Sequence, residues 1–196
     1  MARTHPEGWQ QLPAAGARGR ERATLALLAE ALPRAWTIYH GLHWTRAAGA
    51  QLIFGEIAFA VVGPGGRVLL IEQHAGFLDE TADGLMRPGR KRAQHISHEL
   101  ARSADELRTR LRPLLDGAEP VLDILLFCPD HHVRQPGSAG LDPARIVDAS
   151  RRDTFAAIVH DLTTPQGADP APAPPRLPAL HRFFADIREL VPDVQA

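Results

Sequence analysis

Apolar positions recur every third or fourth residue in "RERATLALLAEALPR", where Leu25, Leu28 and Leu32 share one face of a helix beginning near Arg20 and stopped by Pro33. Glu21 lies four residues before Leu25, on that same inward face. The pattern then changes to aromatic and β-branched residues in "AWTIYHGLHW" (35–44), a strand followed by a flexible "TRAAGAQ" stretch. In "GEIAFAVVGPGGRVLLIEQHAG" (55–76) two apolar runs flank a glycine-rich turn, which predicts a hairpin. Beyond a loop at "FLDETADGLMRP", Ile96, Leu100, Leu107, Leu111 and Leu114 form a helical stripe predicting a long helix over 91–114. "PVLDILLFCP" (120–129) is apolar on both faces, as an inner strand of a sheet must be. A short strand at 144–150 and a helix at 152–162 capped by Asp153 follow.

The order is helix, three strands, long helix, strand, which predicts an α/β sandwich with a central mixed sheet flanked by helices. Residues 1–18 read as a flexible arm, 19–163 as the α/β domain, and 164–178 as a proline-rich linker. Residues 179–196 form an amphipathic helix, with Leu180, Phe183, Phe184, Ile187 and Leu190 offered either to the domain or to a protein partner.

Composition narrows the function less than the pattern does. The 22 basic and 23 acidic residues leave a net charge of −1, so any polyanion-binding surface has to be local. One cysteine, Cys128, rules out an internal disulfide and a thiolate zinc cluster. No run approaches the ~20 apolar residues that span a bilayer, so a cytoplasmic protein without membrane contact is expected.

Strand alternation puts Val68, Leu70, Glu72 and His74 on one face of the second hairpin strand and Leu69, Ile71 and Gln73 on the other. On the first strand, Glu56, Ala58, Ala60 and Val62 share a face. A turn through "GPGGR" (63–67) pairs Val62 with Val68 and sets Ala58 opposite Glu72. Carboxylates facing each other across such a pair, with a base two residues after the second, would suit a hard divalent cation and phosphoryl chemistry. The cluster Arg87, Arg90, Lys91 and Arg92 supplies cations for phosphate contacts beside that face. "CPDHHVRQPG" (128–137) carries two adjacent histidines whose side chains diverge, which suits a polar loop better than a zinc site.

"RERATLALLAEALP", "WTIYHGLHW", the hairpin and "RAQHISHELARSADELRTRL" together resemble the nuclease-related domain (NERD) family, a branch of the PD-(D/E)XK, or restriction-endonuclease-like, fold, over about residues 19–128. The resemblance implies a metal-dependent nuclease site with metal ligands at Glu21, Glu72 and the Gln73 carbonyl, and a helix glutamine at Gln94. It also implies an aspartate where this chain has Ala58 and a catalytic lysine where it has His74. Ala58 has no oxygen to offer, so a Mg²⁺ or Mn²⁺ ion would be weakly held, with Glu56 as the nearest substitute ligand.

The expectation is therefore a domain that binds nucleic acid, DNA before RNA, with impaired catalysis. Its alternatives are an active metal-dependent phosphodiesterase using Glu72, Glu21, Glu56 and His74, and a protein-interaction module acting through the C-terminal helix. Family context implies the N-terminal part of a helicase-linked protein.

Overall fold

The computed structural model describes residues 1–11, 16–48, 51–88, 95–165 and 176–188. Its centre is a six-stranded mixed sheet. The strands are β1 (Arg3–His5), β2 (Thr37–Ala48), β3 (Gln51–Val62) and β4 (Val68–Gln73), then β7 (Leu122–Cys128) and β8 (Ile146–Asp148), neighbours in that order. A separate small hairpin joins β5 (Asp79–Thr81) to β6 (Gly84–Met86). Strands β2, β3 and β4 run antiparallel, whereas β4, β7 and β8 run parallel.

Helices cover both faces, so the α/β sandwich predicted from the pattern is present. Helix α1 (Gly16–Ala31) and α3 (Phe155–Thr163) lie on one side, where Leu25, Leu28, Leu32, Phe155 and Val159 pack on Phe59, Val61, Leu69 and Ile71. Helix α2 (Ile96–Leu111) and α4 (Arg176–Arg188) lie on the other, against Tyr39, Leu42, Val68, Leu70 and Leu126. Strand β7 feeds both layers, Leu122, Leu126 and Cys128 to the α2 side and Leu125 and Phe127 to the α1 side. Its two-faced apolar run is explained by that position between β4 and β8.

Several local expectations are corrected. The arm at 1–18 is tied down: Arg3–His5 pairs with Thr37–Tyr39, and the Ala2 amide donates to the Ala29 carbonyl at 2.9 Å. In "TRAAGAQ" the residues 45–48 and 51 are laddered rather than free, the β2–β3 pairing reaching Ala48↔Gln51, while 49–50 lie outside the described residues. Helix α2 ends at Leu111, and Pro113 sits in a tighter 3₁₀ turn, Arg112–Leu115. That change of period leaves Leu114 half exposed and buries Leu115 instead. Asp153 does not cap α3; its N-cap is Thr154, without a side-chain bond, while Asp148 accepts from Ser150 at the preceding turn.

The C-terminal helix folds back on its own domain. Leu180, Phe183, Phe184 and Ile187 are buried against the α2-side core, and the Tyr39 hydroxyl lies 2.8 Å from His181 Nδ1. Of the two destinations expected for its apolar face, the described residues take the first, this chain's own domain; Leu190 lies outside the described residues. No helix among the described residues is long and apolar enough to cross a membrane.

Candidate functional site

The hairpin register is the one set by a five-residue turn: Val62 pairs with Val68, and the Gly63 amide donates to the Arg67 carbonyl at 2.9 Å. Pairs continue to Phe59↔Ile71, where the ladder ends one residue short of Ala58 and Glu72. The shared face predicted for β3 does not hold, however. Ala60 and Val62 pack on the α2 side, but Ala58 packs with Phe59 on the α1 side and Ile57 returns to the α2 side.

The cause lies on the neighbouring strand. Gly41 falls between the pairs His40↔Phe59 and Leu42↔Ile57, level with Ala58, and has φ +67°. A left-handed residue inside a strand breaks the two-residue alternation, and only glycine adopts it without strain. Beyond it Leu42 and Trp44 both face the α2 side, and Glu56 meets His43 across the ladder, Oε2 to Nδ1 3.9 Å. Glu56, with its side chain two-thirds exposed, lies at the rim of the cavity that Glu72 also lines.

Glu72 stays on the α2 side and opens into a cavity of about 420 Å³. Strand β3 contributes Phe54 and Ile57 to its wall, and helix α2 contributes Glu99 and Arg102. The partner of Glu72 is Arg87, whose Nη2 donates to Oε1 at 2.8 Å. The same guanidinium reaches Glu99, Nε to Oε2 3.7 Å. Arg87, expected to face phosphate, is instead three-quarters buried between two carboxylates.

Burial pushes the Glu72 carboxyl up to about 7; Arg87 pulls it down, Glu56 pushes it up, and the Ala58 amide, which donates to it, pulls it down. Near neutral pH it therefore exchanges between an ionised form held by Arg87 and a neutral one. His74 moves the other way: burial and the Arg87 charge lower it, although the Phe77 carbonyl accepts from its ring. Both effects disfavour the imidazolium form of His74.

The remaining site residues disperse. Glu21 lies on the α1 side, where its Oε2 is 2.8 Å from His40 Nε2. The Gln73 side chain faces α1 as well, into a different cavity. Gln94, Arg90, Lys91 and Arg92 lie outside the described residues. The histidine loop is structural, as read: His131 Nε2 bonds Glu80 at 3.0 Å and its Nδ1 accepts from the Leu78 amide. Glu80 also accepts from the Arg134 and Gln135 amides, which hold its carboxyl below the usual range despite burial.

Ligands for a divalent cation do not converge. Among the described residues Ala58 offers no oxygen, Glu21 pairs with His40, Glu56 sits largely exposed at the cavity rim beside His43, and the space between Glu72 and Glu99 holds the Arg87 guanidinium. The set present therefore does not fit a two-carboxylate metal centre.

Two residues of the cavity escaped the sequence reading. Glu99 lies three residues after Ile96, beside the buried stripe of α2, and only its spacing marked it as inward-leaning. Phe54 is 64% exposed at the cavity wall, a large ring left in water.

Comparisons of the chain with protein-family models, with curated proteins and with solved structures find no match to any of them.

Proposed function

We propose that this protein is a nuclease-related domain of the PD-(D/E)XK type that binds nucleic acid, DNA before RNA, and cleaves it poorly or not at all. The observation that carries the reading is Arg87, a side-chain cation lying between Glu72 and Glu99 where such a nuclease would require a metal. The order α1, antiparallel β2–β3–β4, α2, then β7 parallel to β4 supports the frame.

Binding is assigned to the rim of the same cavity. Phe54 offers a face on which a base stacks, worth about 1–3 kcal/mol per base. Arg102 is exposed beside it and has no ion-pair partner among the described residues. Arg90, Lys91 and Arg92, the chain segment leading into α2, supply further phosphate contacts in this reading.

The test combines cleavage and binding. Plasmid and linear DNA incubated with the protein in Mg²⁺ or Mn²⁺ should remain intact, beside a Glu72→Ala control. Cleavage that disappears in the control establishes an active nuclease instead. Affinity for DNA should fall steeply with added salt and fall again in Phe54→Ala and Arg102→Ala; a salt-independent affinity refutes the assignment.

A further inference from the structure

The unexplained residue is Gln73. It follows Glu72 on β4 but points to the opposite face, where its neighbours in alternation, Leu69 and Ile71, are fully buried aliphatics. Its side chain is more than nine-tenths buried, and neither Oε1 nor Nε2 has a hydrogen-bond partner. An aliphatic residue would complete that cluster at no polar cost, so a carboxamide there leaves both a donor and an acceptor unmet.

Gln73 is one of the residues around a cavity of about 250 Å³ between α1 and the carboxyl ends of β4 and β7, with both carboxamide atoms buried beneath its surface. Ligands of α/β proteins bind in the crevice outside the carboxyl ends of parallel strands, and β4, β7 and β8 are the parallel set here. Ala23, Leu27, Phe127 and Pro129 make the walls apolar. Charge is concentrated at the mouth: Arg20 is ion-paired with Asp130, which also accepts from the Gly76 amide, and Arg152 is exposed with no ion-pair partner among the described residues. The balance at the mouth is one net positive charge.

A few polar groups converging in an apolar cleft define a small-molecule site. Its volume is below the ~300–1,000 Å³ of cavities that hold drug-sized ligands, so it suits one planar ring system. A fixed carboxamide matches a ring edge that carries an adjacent donor and acceptor, as glutamine does with adenine. The charge at the mouth matches a phosphate.

We propose that this cavity is a nucleotide subsite, in which Gln73 pairs with the edge of a nucleobase and Arg152 takes the phosphate. The occupant is a nucleoside monophosphate unit, either free or at the end of a strand. The assignment does not rest on the Glu72 cavity or on the function proposed for it, since the two lie on opposite faces of the sheet.

The test is calorimetric titration of the full chain with AMP, UMP, ribose 5-phosphate and a short oligonucleotide. AMP or UMP should bind with Kd below about 1 mM, and ribose 5-phosphate about tenfold more weakly. Gln73→Leu should weaken binding by about tenfold while its Tm holds or rises, because an unpaired carboxamide has been replaced by an aliphatic group. Arg152→Ala should weaken binding and its salt dependence together. Ala23→Phe, at an exposed helix position that leaves the core untouched, should block the cavity in a folded protein.

Binding of the oligonucleotide but not of AMP or UMP, still lost in Gln73→Leu, assigns the subsite to a strand end. Binding of the mononucleotides assigns it to free nucleotide. The proposal is overturned if neither probe binds, if Gln73→Leu binds as the native chain does, or if ribose 5-phosphate equals AMP. DNA binding lost in Phe54→Ala but intact in Gln73→Leu keeps the two sites distinguishable.

Discussion

Arg87→Ala removes the cation that lies between Glu72 and Glu99, and its cost should depend on pH. The lost contacts are 2.8 Å to Glu72 and 3.7 Å to Glu99, with all three side chains less than a third exposed. Breaking a buried pair by deleting one partner costs about 3–5 kcal/mol; the partial exposure here argues for the lower end, about 3 kcal/mol at pH 8. Burial raises the folded-state carboxyl of Glu72 to about 7, above the ordinary glutamate value of 4.5. A carboxyl raised on folding binds its proton more tightly in the native state, so its stabilising contribution is complete below about 4.5 and is lost as pH climbs through about 7.

Without Arg87 the carboxyl rises further, and the neutral form carries the fold at low pH. The variant should therefore lose about 6–12 °C of Tm at pH 8 and about half of that or less at pH 5, read by calorimetry at both pH values. At pH 8 the two bare carboxylates also form a cation site that the native chain lacks. Mn²⁺ should raise the variant's Tm and leave the native chain unchanged; saturation a hundredfold above Kd is worth about 2.7 kcal/mol. Equal losses at pH 5 and pH 8 would refute the reasoning, because Glu72 would then not be the charge that Arg87 neutralises.

Other substitutions probe the frame of the site. Ala58→Asp restores the residue type expected of an active nuclease, yet it should lower stability by about 1–3 kcal/mol in urea titration and yield no cleavage, since position 58 packs on the α1 side. Cleavage gained by that single change would show that its side chain does reach Glu72. Tyr39→Phe deletes the 2.8 Å contact with His181 and should cost about 1 kcal/mol, or ~2–4 °C of Tm; no change would mean that α4 is held by its apolar face alone. Gly55→Ala would drive a Cβ into the Trp44 ring, so about 1–3 kcal/mol should be lost and the tryptophan emission should shift; unaltered fluorescence would show that the ring moves freely.

What the sequence made legible was local and periodic. The Leu25, Leu28 and Leu32 stripe, the two-faced run of β7 and the five-residue hairpin turn are each decided by residues close in the chain, and each stands as read. The errors arose where one residue altered a period that was then extrapolated past it. Pro113 tightened a helix and exchanged Leu114 for Leu115; Gly41 reversed the faces of two strands at once.

The candidate site shows the same limit more sharply. Counting by twos from Val62 placed Glu56 and Ala58 beside Glu72, and the count is correct only if no residue of β2 or β3 leaves the extended region. Gly41 does leave it, on the partner strand, so the signal that misplaced Glu56 lay fifteen residues away from it in a segment read for its aromatics. Arg87 was visible as a cation but not as the partner of a carboxylate fifteen residues back, because that contact exists only once β6 and α2 have packed over β4. The substitution of Ala58 therefore matters less by itself than in company: the loss of one oxygen, the pairing of Glu56 with His43 at the cavity rim and the arrival of a guanidinium all act to make Glu72 an internal ion-pair partner.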